Sequence, residues 1–139
     1  MPNMIIMRGL PGSGKSHFIE KYYPKFIVCS ADNYFMKDGK YVFNPRDISK
    51  AHEACKILCI ERMFAGQDVV IDNTNTERWE YEFYWKLAAH MGYNVEFVNI
   101  YDGGLNDESL FLRNTHGVPL ASITAMRARY YSPLFTNEG

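Results

Sequence analysis

One segment near the start, Gly9-Leu10-Pro11-Gly12-Ser13-Gly14-Lys15-Ser16, restricts this chain to a small set of folds. It fits the pattern G-x-x-x-x-G-K-[ST] at every fixed position, between a short apolar run, Met4-Ile5-Ile6-Met7, and a helical stretch. A strand has to deliver such a loop and a helix has to receive it. Its glycines let successive backbone N–H groups turn inward on a phosphate, and the new helix adds the positive end of its dipole. Gly12, Ser13, Gly14, Lys15, Ser16 and His17 are the expected contacts of a nucleoside triphosphate, with Lys15 on the outer phosphates and the Ser16 hydroxyl on Mg2+. The loop points to a nucleoside triphosphate and says nothing of what becomes of the phosphate.

Strand and helix patterns alternate along the rest of the chain. Strands are expected at about 4–8, 26–29, 68–71 and 93–101, the last with the polar Asn94, Glu96 and Asn99 that an edge strand tolerates. The first helix runs to about Tyr23, where Pro24 stops it. Asp47 is positioned to cap a long helix to about Ala65, and Thr74 and Glu77 have capping-box spacing before a helix to about His90. Tyr34 to Pro45 reads as a loose segment, and two late helices cover about Asn106–Arg113 and onward to about Tyr131. The pattern predicts an α/β fold: a four-stranded parallel sheet flanked by helices in three layers, with a helical lid at about 106–119 and one domain over residues 1–139.

Ligands of such sheets bind at the carboxyl ends of the strands. Three clusters sit there: the phosphate loop, Ser30-Ala31-Asp32, and Asp72-Asn73-Thr74-Asn75. Asp32, expected from the strand neighbouring the loop, is either a general base for an attacking hydroxyl or a turn cap. Asp72 is either the second group associated with the metal, beside Ser16, or a turn residue. Phe35, Asn73, Thr74 and Asn75 are candidates to position an acceptor. In the lid, Arg113 is either a stabiliser of transferring charge or an ordinary helix end. His116 is a second polar group, and Val118 an apolar surface for adenine. Between Tyr34 and Lys50, basic Lys37, Lys40, Arg46 and Lys50 alternate with Tyr34, Phe35, Tyr41 and Phe43. That mixture suits either a single-strand surface or a loop pinned by buried rings.

Composition narrows the partners. A net charge of −1 gives no overall basic field for coating nucleic acid, and no apolar run approaches membrane-span length. Cys55 and Cys59 fall on one helical face with Ile48, Ala51 and Leu58 and read, with Cys29, as reduced core residues of a cytoplasmic protein.

Taken in order, the Met-Ile-Ile-Met-Arg-Gly start, Ser30-Ala31-Asp32-Asn33-Tyr34, Asp72-Asn73-Thr74-Asn75 and Arg113 to Pro119 resemble the kinase domain of phage polynucleotide kinases. They resemble still more the P-loop kinase-like module of ubiquitin-ligase-binding ATPases. The resemblance implies that Lys15 and Ser16 hold phosphate and magnesium, that Asp32 activates a 5′-hydroxyl, and that Arg113 is the lid arginine. It implies an ATP-dependent kinase acting on a nucleic acid end or single strand. Phe35 stands where the polynucleotide kinases carry an arginine, their lid arginine falls nearer His116, and their strand-three aspartate aligns with Asn73 or, after a one-residue shift, with Asp72. A kinase of a hydroxymethylated base or small metabolite, and a nucleotide-gated interaction module, remain open alternatives. No 3′-phosphatase activity is expected.

Overall fold

The computed structural model describes residues 1–130. Four parallel strands form the central sheet: β1 (Asn3–Gly9), β2 (Ile27–Cys29), β5 (Val69–Asp72) and β6 (Asn94–Tyr101). Their spatial order is β2-β5-β1-β6, with Met4 opposite Val69 and Asn3 opposite Asn94. The two central strands read as unbroken apolar runs because both of their faces are covered. Met4, Ile6, Val69 and Ile71 pack on one face with residues of α2 (Ile48–Phe64) and α3 (Arg78–Met91). Ile5, Met7 and Val70 face the other way, against Ile19 of α1 (Lys15–Tyr22). These are the three expected layers, and β6 is an edge strand as its polar residues foretold.

A third apolar cluster joins the phosphate loop to the lid. Leu10, Leu110 and Ile123 are fully buried together, linking the loop to α4 (Asp107–Arg113) and α5 (Leu120–Ala128). Arg127 fastens the same region: it donates to Asp102 Oδ2 and Asp107 Oδ1, both at 2.7 Å, and to the Leu105 carbonyl at 2.8 Å. Helix α5 ends at Ala128; the expected end at Tyr131 lies outside the described residues.

Several local expectations differ from the structure. The expected capping box at Thr74 and Glu77 falls two to three residues too early. Helix α3 begins at Arg78, and it is Thr76 that pairs with Glu80, through Oγ1 to Oε1 at 2.6 Å and N to Oε2 at 3.2 Å. Asp47 precedes α2 but makes no side-chain cap; a 3-10 turn, Pro45–Asp47, capped by Asn44, leads into the helix instead. On α2 the buried ridge is Ala51, Cys55, Cys59 and Met63, whereas Ile48 is exposed. The loose segment also has order of its own. A 3-10 turn spans Ala31–Phe35, and β3 (Met36–Lys37) pairs antiparallel with β4 (Lys40–Tyr41). Asp38 and Gly39 both have positive φ at its tip, as a two-residue hairpin with a right-handed twist requires.

Candidate active site

The phosphate loop is stitched into the sheet on both sides. Gly9 N donates to the Thr74 carbonyl at 3.0 Å, and Leu10 N donates to the Tyr101 carbonyl at 2.8 Å. Gly12 is indispensable for its shape: φ is +78°, and a Cβ there would sit 2.3 Å from the Leu110 carbonyl oxygen. Gly14 stands at the N-cap of α1 in the left-handed region, and no side chain caps the helix. The first-turn N–H groups thus remain available to an anion, as helix N-termini of this type are. Ser13 Oγ is buried and has no hydrogen-bond partner among the described residues. Lys15 turns back over the loop, donating to the carbonyls of Gly9 at 2.9 Å and Leu10 at 3.3 Å. Burial lowers its pKa below the usual lysine range, and the charges of Asp72 and Asp32 offset part of that effect. Ser16 and His17 are exposed on the first turn of α1.

Two carboxylates approach this lysine from different strands. Asp72 ends β5, the strand next to β1. Burial pushes its carboxyl above the ordinary range; Lys15 draws it back, Asp32 pushes it further up, and His116 lowers it. Asp32 comes from the far side of Asp72. The expectation that its strand adjoins the loop is corrected here: β5 lies between β2 and β1, because the connection through α2 places the third strand in sequence at the centre of the sheet. The 3-10 turn after β2 carries Asp32 back toward the loop. Ser30 caps that turn, accepting from Asp32 N at 3.2 Å, so the Asp32 side chain is released from capping. Its oxygens meet Tyr41 and His116 instead: Tyr41 Oη donates to Oδ1 at 3.2 Å, and His116 Nδ1 lies 3.2 Å from Oδ2. Burial, and then the neighbouring Asp32 charge, raise the Tyr41 hydroxyl well above its usual value, which keeps it a donor.

The remaining candidates separate into two groups. Asn73 braces the turn that bears Asp32: its Oδ1 accepts from Ala31 N at 2.9 Å, and its amide donates to Cys55 Sγ at 3.7 Å. Thr74 is half-buried and gives its carbonyl to Gly9. Phe35 and Asn75, expected from the sequence to help position an acceptor, are instead buried. Phe35 belongs to the core beside Ala51, and Asn75 donates to the Met7 carbonyl at 2.7 Å with a positive φ of 48°. Neither presents surface to a ligand in this arrangement. In the lid, Asn114 closes the 114–118 loop on itself, accepting from Val118 N at 3.0 Å, and Val118 packs into the Leu10 cluster. Arg113 is exposed at the end of α4, while His116 reaches Asp32.

Sequence reasoning passed over Arg8, and it read Tyr41 as part of a single-strand surface or a ring-pinned loop without placing it beside Asp32. Arg8, only 4% exposed within a central strand, donates through Nε to the Asn75 carbonyl at 2.9 Å and through Nη2 to that of Thr76 at 3.1 Å. It also lies over the rings of Tyr81 and Tyr130. A charge ending an apolar strand was the available signal. For Tyr41 the signal was the Asp38-Gly39 dipeptide, which marks a hairpin and so returns Tyr41 to Met36 and the Asp32 turn. A groove of about 450 Å³ lies elsewhere, at the opposite end of the sheet against Asn3, Ile5, Tyr23 and Asn94, and holds none of these residues.

The arrangement fits a triphosphate with its metal. An uncapped helix start, an unpartnered Ser13 hydroxyl and a lysine parked on loop carbonyls all offer donors to phosphate. Among the described residues no cluster of three or more His, Cys, Asp or Glu forms a ready-made metal cage. Magnesium needs none, since it commonly takes one or two protein ligands and completes its shell with phosphate and water. No described helix is long and apolar enough to cross a membrane.

Known proteins share the family and the fold of this chain. A family model described as "AAA domain" matches residues 4–101. NEDD4-binding protein 2 of Homo sapiens is 33% identical over 132 residues, covering 91% of this chain and 8% of that protein. A putative bifunctional polynucleotide phosphatase/kinase of Acanthamoeba polyphaga mimivirus is 34% identical over 91 residues, 66% of this chain and 18% of its own length. This chain therefore spans less than a fifth of either relative. Among solved structures, a chain of the Pnkp1/Rnl/Hen1 RNA repair complex superposes with a TM-score of 0.68 at 20% identity, over 93% of this chain and 44% of that one.

Proposed function

This chain belongs to the AAA-domain family, in its P-loop kinase-like form, and from that premise we propose that it is an ATP-dependent kinase whose acceptor is the 5′-hydroxyl of a polynucleotide. The single observation that carries the reading is the convergence of Lys15, Asp72 and Asp32 at one end of the sheet, where the charges of both carboxylates act on Lys15 and that of Asp32 acts on Asp72. A phosphate-binding lysine beside two carboxylates is what phosphoryl transfer to a hydroxyl needs: one group to hold the transferring phosphate, one to serve the metal, one to take a proton.

The roles follow from position. Gly12, Ser13, Gly14 and the start of α1 cradle the phosphates, and Lys15 leaves the Gly9 and Leu10 carbonyls to neutralise the outer ones. Ser16 and Asp72 are the residues that would hold magnesium, which would supply charge neutralisation to the phosphates. Asp32, 46% exposed, accepts the proton of the acceptor hydroxyl as its oxygen bonds the γ-phosphorus of ATP and the bond from that phosphorus to the departing ADP breaks. Tyr41 and Asn73 fix the carboxylate's direction, one by its hydroxyl and the other by bracing the turn. Arg113 and His116 come from the lid, which excludes water when closed. The polynucleotide acceptor draws support from the mimivirus relative's name and from the basic and aromatic residues after Asp32.

A small hydroxylated acceptor is the second reading, favoured by the near-zero net charge of the chain. γ-Labelled ATP offered with single-stranded DNA, RNA, modified-base DNA and nucleosides decides between them. Label on 5′-hydroxyl oligonucleotides is the expected result; label on nucleosides or metabolites alone overturns the polynucleotide acceptor. In the same assay Asp32→Asn should retain ATP binding and lower turnover by about 10²–10⁴-fold. ATP binding without transfer to any acceptor, unaffected by Asp32→Asn, would instead mark a nucleotide-gated interaction module.

A further inference from the structure

The hairpin beside Asp32 carries a row of rings to which the phosphoryl-transfer roles assign only its first member. Tyr41 lies 4.4 Å from the His116 ring and 6.4 Å from the Phe43 ring, centroid to centroid, and is nearly parallel to Phe43 at 11°. Phe35 meets both from below, edge-on, at 6.0 Å from Tyr41 and 5.0 Å from Phe43. Val42 N donates to the Phe35 carbonyl at 2.8 Å, which ties the strand to this support. The row begins at the site, where Tyr41 Oη touches Asp32, and ends in solvent, where Phe43 is 50% exposed. Phe64 and Trp79 are more exposed still, but among the described residues neither belongs to a ring stack leading to a site carboxylate.

Packing on Phe35 accounts for the covered part of Phe43 and gives no reason to leave the other half open to water. A ligand with a flat π-face does, since stacking replaces water on that face. The surroundings indicate its charge: Lys37, Lys40 and Arg46 are exposed along the same segment and outnumber the exposed Asp38. Flat rings bordered by cations suit a single strand, whose bases stack and whose phosphates seek positive charge.

The geometry points to Phe43, supported by Tyr41 and Phe35, as the platform on which the 5′-terminal base of a single-stranded acceptor stacks while its hydroxyl reaches Asp32. Lys37 and Lys40 attract the phosphates that follow. This assignment rests on the polynucleotide reading of the same site and adds how the acceptor is held.

The test uses the full chain and a short single strand with a free 5′-hydroxyl and a 3′ fluorophore, read by anisotropy, with label transfer from ATP measured in parallel. Phe43→Leu keeps an apolar contact on Phe35 and removes the π-face; unchanged ATP affinity reports an intact fold. The expected result is a roughly 10- to 100-fold weaker oligonucleotide affinity in Phe43→Leu, restored by Phe43→Trp. A strand whose 5′-terminal nucleotide is abasic should bind the native chain as weakly, and should not distinguish it from Phe43→Leu. If Phe43→Leu binds the intact strand as tightly as the native chain while transfer to 5′-hydroxyls persists, the platform is wrong and the kinase reading stands. If no single strand binds and transfer goes only to small hydroxyl compounds, the polynucleotide reading falls and takes the platform with it.

Discussion

Ser13 shows how a single residue can be set for a ligand at the expense of the fold around it. Its hydroxyl is buried beside Gly9, where a Cβ would come within 2.7 Å of Ser13 Oγ, and it has no partner among the described residues. A buried hydroxyl without a partner costs free energy that an apolar side chain does not. Ser13→Ala is therefore expected to raise the stability of the nucleotide-free protein by about 1 kcal/mol in denaturant unfolding. Gly12 is the opposite case. An alanine there meets both a left-handed φ and the Leu110 carbonyl, so Gly12→Ala should cost on the order of 1–3 kcal/mol and abolish ATP binding by calorimetry. A Gly12→Ala variant of native stability would show that the loop is not pressed against α4 as described.

Among the elements, the lid helices depend on Arg127. The guanidinium bridges Asp102 in the loop after β6 and Asp107 at the start of α4, and it also bonds the Leu105 carbonyl, so one side chain sets where α5 lies on α4. At Asp102, burial opposes the charge, but hydrogen bonds from Arg127 and the Gly104 amide more than offset it; at Asp107 the bond from Arg127 leads and that from Thr124 follows. Both carboxyls consequently lie below their reference value of 3.8 in the folded protein. A carboxylate with a depressed folded pKa stabilises the fold above its unfolded value and loses that contribution as pH falls through the folded one. Arg127→Ala is expected to cost about 1–2 kcal/mol at neutral pH, a range that allows for the partial exposure of the network. The penalty should shrink as the pH drops below about 3.8. A penalty that stays constant in acid would mean that Arg127 acts by packing alone.

At the scale of the whole molecule, the proposed site draws on both the sheet and the helices after β6, so the nucleotide should bind the folded chain alone. Ligand at a hundredfold excess over its dissociation constant stabilises by about 2.7 kcal/mol, on the order of 10 °C in melting temperature for a chain of this size. ATP with magnesium should produce that shift, and Lys15→Ala should abolish it. An equal shift in Lys15→Ala would place the nucleotide away from the loop.

Much of this architecture is written in local pattern. The apolar runs of β1 and β5, the glycine-rich loop between a strand and a helix, and Gly92 closing α3 in the left-handed region are each decided by near neighbours and backbone sterics. The loop thereby fixed a P-loop fold, and with the residues at the strand ends it fixed which side of the sheet would bear the site. Sequence alone did not decide which strand adjoins which, since pairing order depends on where the α2 crossover packs. That order put Asp72 next to the loop and Asp32 beyond it. Nor did it decide which polar and aromatic side chains remain accessible. Asn75 and Phe35 lie in positions where buried backbone groups and core volume needed filling, whereas Tyr41 and His116, far apart along the chain, come together only because the hairpin and the lid fold over the same carboxylate. Long-range packing chooses among side chains that local pattern leaves equivalent, and burial then settles which of them a ligand can touch.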